Sequence, residues 1–363
     1  MALDQVRNDA YARAIRRRVT GDSVVLDLGA GLGTQGLLAA AAGARRVYLV
    51  EPEAVINVAR EIANANALGD RVVTLTGKIE DVKLPEPVDL IISVFTGDLL
   101  FSEDLLPSLF YARDHYLKPG GRLIPEEAEL VLVPISAPEF HAKQLEVWSQ
   151  PHLGLDFSAA RKCAANGLYW QRRGQYAMQR LADPLAITRI DLTQAVKADC
   201  KGRAEYAIRQ DGDCHGLLAW IRINLDGEWL TADPDAPPVH WSPVILPLDP
   251  PLRLAAGDSF SVALDRPQFG DWTWTIDATA GRQRHSTFLE RPWTLERMQA
   301  LSPEHRPKLG AEGEAALLAL KMMESKRSNI ETARELLKMY SARFTDEEQA
   351  LAFVTKLVAR YGR

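Results

Sequence analysis

The stretch Val24-Val25-Leu26-Asp27-Leu28-Gly29-Ala30-Gly31-Leu32-Gly33-Thr34 sets an acid and three alternate glycines at the exit of an apolar run. A glycine-rich turn at that place lets the backbone approach a ligand and adopt angles closed to other residues. Gly31, Gly33 and Gly36 also satisfy G-x-G-x-x-G, which alone admits a nicotinamide dinucleotide or a tight strand-to-helix turn with no ligand at all. Glu51 follows about 20 residues later, at the end of the second apolar run, where a carboxylate can accept hydrogen bonds from the ribose hydroxyls of a nucleoside cofactor.

Other chemistries find no matching pattern. The seven histidines and three cysteines show no H-x-x-x-H, C-x-x-C or facial-triad spacing, so no metal is required. Neither G-x-S-x-G nor a P-loop occurs, which argues against the α/β-hydrolase and P-loop classes. Cys163, Cys200 and Cys214 read as small buried hydrophobes in a reducing compartment.

The elements that must position the glycine loop follow from periodicity. Apolar runs at Val24 to Leu28, Val47 to Val50, Val72 to Thr76 and Leu90 to Ser93 alternate with helical patterns, which predicts a parallel sheet covered on both faces. From Glu126 to about Ala280 the texture becomes strand-rich between Pro, Gly and Asp clusters, an antiparallel barrel or sandwich. Residues 151–174 read as a partly helical insertion too long for a simple turn. Beyond His285 three helical stretches follow, with capping-box patterns at Ser328-x-x-Glu331 and Thr345-x-x-Glu348.

At 363 residues, 47% hydrophobic and 25% charged, the chain has ordinary globular composition and length for two or three domains. A net charge of -5 gives no global field toward nucleic acid or an anionic membrane, and the near balance of bases and acids in the helical tail argues against nucleic acid there too. No apolar run reaches the roughly 18 residues needed to span a bilayer, and the first residues lack a signal-peptide core. A cytoplasmic protein is expected.

The spacing D-x-G-x-G-x-G, with Asp27 ahead of Gly29, Gly31 and Gly33, resembles motif I of class I S-adenosylmethionine-dependent methyltransferases. The similarity then narrows to the protein arginine methyltransferases. Val6-Arg7-x-x-x-Tyr11 resembles that family's first helix, and Gly77-Lys78-Ile79-Glu80-Asp81-Val82 its adenine-contacting segment. Gly120-Gly121-Arg122-Leu123-Ile124-Pro125 resembles its closing strand, Gly154-Leu155-Asp156-Phe157-Ser158 the start of its dimerisation arm, and Val239-His240-Trp241 its Thr-His-Trp loop. The likeness covers residues 1 to about 280 and leaves the helical tail unexplained. It implies S-adenosylmethionine as cofactor, bound through Arg7, Asp27, Gly29, Gly31, Gly33, Glu51, Glu80 and Ser93. Arg7 would grip the cofactor carboxylate through two parallel hydrogen bonds. It also implies a homodimer through the arm at 151–174, whose Leu153, Leu155, Phe157, Leu168, Tyr169 and Trp170 would otherwise be exposed. The family's upstream Tyr-Phe-x-x-Tyr lid has no counterpart before the first helix, so the cofactor is either more open or covered by another segment.

The family's signature is a hairpin whose two glutamates clamp the substrate guanidinium, in a pattern like S-E-W-M-G-x-x-L-x-x-E. Here Ser93-Val94-Phe95-Thr96-Gly97-Asp98-Leu99-Leu100-Phe101-Ser102-Glu103 keeps the second glutamate as Glu103 and has Val94 at the first. A guanidinium stays charged and delocalised, so its methylation needs carboxylates to orient it and localise charge. Three readings stay open. Arginine is methylated with Asp98 supplying the missing carboxylate; or another nucleophile on a protein, peptide or small molecule is methylated, with Glu103 orienting it or acting as general base; or the chain binds cofactor without transfer, as an adaptor working through its tail. The resemblance also pairs His240 with Asp4, three residues before Arg7, as a tie between domains and a proton relay. The expected architecture is α/β: a Rossmann-like cofactor domain over residues 1–125, a β-barrel substrate domain over 126–284 carrying the helical arm, and a helical domain over 285–363.

Overall fold

The computed structural model describes residues 2–362. Residues Met1–Pro292 form one compact unit and Trp293–Arg363 a second. In the first, α1 (Gln5–Arg18) precedes five strands, β1 (Val24–Leu28), β2 (Arg46–Glu51), β3 (Val72–Thr76), β4 (Val88–Ser93) and β5 (Leu117–Ile124), with α2 (Thr34–Ala41), α3 (Ile56–Ala65) and α4 (Leu106–Tyr116) between them. All pairings are parallel, in the order β3-β2-β1-β4-β5. The order reverses at β1, and open parallel sheets bind ligands in the crevice beyond the carboxyl ends of the strands at such a point. The register brings those ends together: Leu28 pairs with Val50 on one side and with Ser93 on the other. Gly29, Glu51 and Val94, each next in sequence, therefore line one edge. β1 is buried throughout, as an apolar central strand covered on both faces must be.

The second half of this unit is antiparallel. One sheet runs β7-β13-β11-β6-β8, built from β6 (Glu127–Ser136), β7 (Tyr169–Trp170), β8 (Gln179–Arg180), β11 (Gly212–Leu225) and β13 (Val244–Leu254), with β9 (Leu185–Asp191) on β6 and β12 (Glu228–Thr231) on β11. The other runs β10-β14-β15-β16, from β10 (Cys200–Ala207), β14 (Ser259–Arg266), β15 (Thr273–Ala278) and β16 (Gly281–Ser286). One continuous core joins these sheets to the parallel sheet, from Tyr11, Leu26 and Ile92 to Trp220, Phe260 and Trp274.

The insertion after α5 (Pro138–Gln144) holds α6 (Ala159–Ala164) and the short β7. Leu153 is 87% and Leu155 60% exposed, and Phe157 and Trp170 are exposed beside them. Leu168 and Tyr169, also expected to be uncovered, instead pack against the core. Arg161 of α6 fixes the insertion to β13 through two hydrogen bonds to the Asp249 carboxylate, 2.8 and 2.6 Å. Of the cysteines, Cys200 and Cys214 are buried and their thiols pushed up to about 12 by burial, whereas Cys163 is only half-buried.

The second unit contains α7 (Leu295–Ala300), α8 (Ala311–Glu324), α9 (Asn329–Met339) and α10 (Glu347–Tyr361), with a small core of Ala315, Ala319, Leu336, Phe344 and Val354. The capping box at Ser328 and Glu331 forms. That at Thr345 and Glu348 does not: the cap moves one residue on, so that Asp346 accepts the N–H of Gln349 at 2.8 Å and the Gln349 side chain accepts the N–H of Thr345 at 2.9 Å. No helix among the described residues is long and apolar enough to cross a membrane.

Candidate active site

The glycine loop is built from below by Asp27 and from the side by Glu51. Asp27 is buried and its Oδ2 accepts the Gly36 N–H at 2.7 Å, tying the strand to the first turn of α2. It braces the loop from within the fold and is absent from the cleft lining. Burial, and then the nearby Glu51 carboxylate, push the Asp27 carboxyl up to about 7, against the lowering effect of the Gly36 bond. Glu51 accepts N–H groups at both oxygens, from Gly31 and Glu53 at 3.0 Å each, so it shapes the loop while its remaining lone pairs stay open. Gly29, at φ +70°, sits under the Phe95 ring: a Cβ there would come within 2.1 Å of Cε1. Only a residue without a side chain allows that approach.

A cleft of about 530 Å³ opens above these residues, lined by Gly29, Val50, Gly77 to Asp81, Phe95, Asp104, Leu105, Ser108 and Phe269. Glu80 stands in its wall, where its Oε1 accepts the Ser108 hydroxyl at 2.5 Å. The volume and the backbone at Gly29 and Gly77 fit a nucleoside cofactor of the size of S-adenosylmethionine, while Gly31, Gly33, Glu51 and Ser93 lie outside this lining. Ser93 is buried; its hydroxyl accepts the Phe95 N–H at 3.1 Å and its carbonyl accepts the Tyr11 hydroxyl at 2.9 Å, which docks α1 across the strand ends. The same helix holds Arg7, 97% buried, with its guanidinium 5.9 Å from the Trp241 ring centroid.

The acceptor side is a chain of turns rather than the expected hairpin. Gly97, Leu100 and Asp104 have φ of +52°, +60° and +54°, and these left-handed steps curl the segment instead of extending it into a ladder. The curl folds Glu103 back over Gly97, where a Cβ would lie 2.8 Å from the glutamate Cδ. Although the residue is exposed, partial burial of its carboxyl and then the charge of Asp98 raise it above the usual carboxylate range. No hydrogen bond reaches Glu103 among the described residues. Its neighbours are held firmly: the Trp272 indole N–H donates to Ser102 Oγ at 3.2 Å, and Arg266 donates to both oxygens of Asp104 at 2.9 Å.

Asp98 has one of its two oxygens engaged. Its Oδ1 accepts the Ser242 N–H at 2.8 Å, an anchor for the loop from the antiparallel half. Asp4 caps α1, accepting the Arg7 N–H at 3.0 Å, and its Oδ2 accepts the backbone N–H of His240 at 2.6 Å. The tie between Asp4 and residue 240 exists, but through the main chain; the His240 side chain is exposed and makes no hydrogen bond to Asp4, so the proton relay has no path here. Sequence reasoning missed Asp104, Arg266, Ser242 and Phe269. Asp104 adjoins the marked Glu103, but the others carry no local signal, because their roles depend on which strands face each other.

Both halves of this arrangement match known families. Residues 25–121 match the methyltransferase domain family model, and residues 126–275 the arginine methyltransferase oligomerization subdomain. Over residues 25–275 the chain is similar to the arginine methyltransferases. Histone-arginine methyltransferase CARMER of Drosophila persimilis and that of Drosophila yakuba are each 30% identical over 302 residues, covering 76% of this chain and 55% of the relative. The chain thus spans about half the length of those curated relatives. Among solved structures, the Trypanosoma brucei PRMT1 enzyme-prozyme heterotetrameric complex with AdoHcy aligns at TM-score 0.71 and 24% identity, over 78% of this chain and 95% of that one. Arabidopsis thaliana protein arginine methyltransferase 10, in an open conformation, aligns at 0.66 and 24% over the same shares. These likenesses carry the fold: a Rossmann-like parallel sheet followed by antiparallel sheets.

Proposed function

We propose that the chain is an S-adenosylmethionine-dependent methyltransferase that transfers methyl to a nitrogen or other nucleophile on a protein, peptide or small molecule, with Glu103 orienting the acceptor. The observation that carries it is the contrast between Glu103 and the carboxylates that brace the acceptor segment and the glycine loop. Asp4, Asp27, Glu51, Asp98 and Asp104 all accept backbone or guanidinium donors, whereas Glu103 accepts none among the described residues. A carboxylate left open beside a cofactor cleft, and shifted toward neutrality by burial, can accept a hydrogen bond from an acceptor N–H or O–H and take its proton.

Bound S-adenosylmethionine supplies an electrophilic methyl on its sulfonium. The protein's part is positioning and electrostatics. Arg7 and the backbone of Gly29, Gly31 and Gly33 hold the amino-acid end, Glu51 the ribose, and Glu80 with Ser93 the edges of the cleft. Asp27 is a brace, and Asp98, Asp4 and His240 position the loop at residues 239–242.

The proposed division is a cofactor domain at 1–125, an antiparallel substrate domain at 126–284 and a helical domain at 285–363. A homodimer through the insertion at 151–174 covers Leu153, Leu155 and Phe157; Leu153→Asp is expected to turn a dimer into a monomer by light scattering. The unpaired cysteines suit the cytoplasm. The deciding experiment follows labelled methyl from S-adenosylmethionine into protein and small-molecule fractions of a lysate, with Glu103→Gln as control. Label on protein that the variant loses, located by mass spectrometry, identifies the acceptor; no label in either fraction despite cofactor binding sinks the enzymatic reading.

A further inference from the structure

Phe269 is a large apolar side chain in an expensive position. It sits in the turn between β14 and β15 of the antiparallel half, is 66% exposed, and has φ of +62°, a backbone region that side-chain-bearing residues rarely occupy. It is not among the described side chains packed on the core. What holds it is Asp104 of the acceptor segment, whose Oδ1 accepts the Phe269 N–H at 3.1 Å. The same oxygen takes an N–H of Arg266 at 2.9 Å, and the second Arg266 nitrogen reaches the other oxygen at 2.9 Å, so the Phe269 backbone is fixed by a two-pronged ion pair between the halves. A non-glycine residue kept in a sparsely populated conformation by over-determined contacts points to use of its side chain. Phe269 lines the cofactor cleft, in company with Lys78 to Asp81 and Ser108, whereas Arg7 and the Trp241 loop are absent from that lining.

Resting on the methyltransferase reading above, we propose that Phe269 covers the adenine end of the bound cofactor, giving the base an aromatic face contributed by the antiparallel half. The exposed ring then has a partner of its own chemistry, because every base offers a π-face and stacking of base on aromatic side chain is a substantial part of affinity where it occurs. The consequence is that cofactor binding presses the two halves of the unit together at the cleft.

The test is calorimetric titration of the full chain with S-adenosylhomocysteine and, separately, with adenosine. Phe269→Gly removes the ring and suits the left-handed backbone, so the variant folds; Phe269→Tyr keeps the aromatic face. Loss of one base–aromatic contact predicts roughly tenfold weaker binding of both ligands to Phe269→Gly, with Phe269→Tyr near the original affinity. Unchanged affinity in Phe269→Gly overturns the proposal, as does a loss for S-adenosylhomocysteine with none for adenosine, which would put the ring at the amino-acid end. If the unaltered chain binds neither ligand, the methyltransferase reading itself fails and takes this one with it.

Discussion

Removing Asp104 should cost more than its partly exposed position suggests. Its side chain is 27% exposed, but that of its partner Arg266 is only 5% exposed, with Nε already lacking a hydrogen-bond partner. Asp104→Ala therefore strands a buried guanidinium, retaining only its contact with the Trp272 ring at 5.7 Å. Breaking a buried pair from one side costs about 3–5 kcal/mol, because a charge is left uncompensated. The openness of Asp104 and the remaining aromatic contact place the expectation at the lower end, about 3 kcal/mol. For a unit of this size that is a fall of roughly 6 °C in melting temperature. The companion variant Asp104→Ala with Arg266→Met removes both charges while keeping a side chain to fill the space, and should regain about 2 kcal/mol of the loss. Urea denaturation of the single and double variants reads both numbers. Methyl transfer separates stability from geometry: the double variant should recover the fold without recovering the rate, since Glu103 has lost the anchor beside it. A single variant within about 1 kcal/mol of the original protein, or a double variant no better than the single, refutes the reasoning.

Other expectations follow from the same site. Glu103→Gln should lower methyl transfer about 100-fold or more while S-adenosylhomocysteine affinity, read by calorimetry, stays within about twofold. Asp98→Asn should move the acidic limb of the rate profile to lower pH, since burial first and the Asp98 charge second hold the Glu103 carboxyl up, and the second is removed; a limb that stays in place would show that another group governs it. Asp27, raised in the folded state to about 7 from 3.8, stays protonated in the fold while the unfolded chain has already lost its proton. Its contribution to stability is thus fully present below about pH 4 and is lost as pH rises toward about 7. Denaturation across that window should show the fall, and Asp27→Asn should flatten it. In the helical unit, Ser328→Ala removes the hydroxyl that caps α9 and should cost about 1 kcal/mol, visible in its thermal transition by circular dichroism.

The parallel half was legible because its signals are local. Val24 to Leu28 and Val72 to Thr76 read as apolar runs and form β1 and β3 with those limits, and the Asp27 glycine loop lies where a strand-to-helix turn requires it. The acceptor segment was legible in composition but not in shape. Gly97 announces a left-handed step, yet Leu100 and Asp104 adopt the same conformation only because the antiparallel half grips Ser102 and Asp104 from outside. Backbone donors were also out of reach. The family resemblance pairs Asp4 with residue 240, but nothing in the sequence distinguishes the imidazole from the amide of His240. The displaced cap at α10 has a similar cause: Thr345 and Asp346 are both good cap residues, and the choice falls to the register in which Gln349 can answer.

The antiparallel half contributes no carboxylate to the acceptor segment, yet it sets where Glu103 can be. Trp272 and Arg266 hold the residues on either side of it, while the loop at 240–242 is held in return by Asp4, Arg7 and Asp98. Five acids of the first half thus serve the join or the glycine loop, and within the acceptor segment Glu103 alone of the acids accepts no hydrogen bond among the described residues. Val94 cannot share a cationic acceptor's charge, whereas Asp98 keeps its second oxygen open while the first accepts the Ser242 N–H. An acceptor held as a full guanidinium would have to draw its second contact from the free oxygen of Asp98, whose other oxygen stays committed to the loop at 240–242.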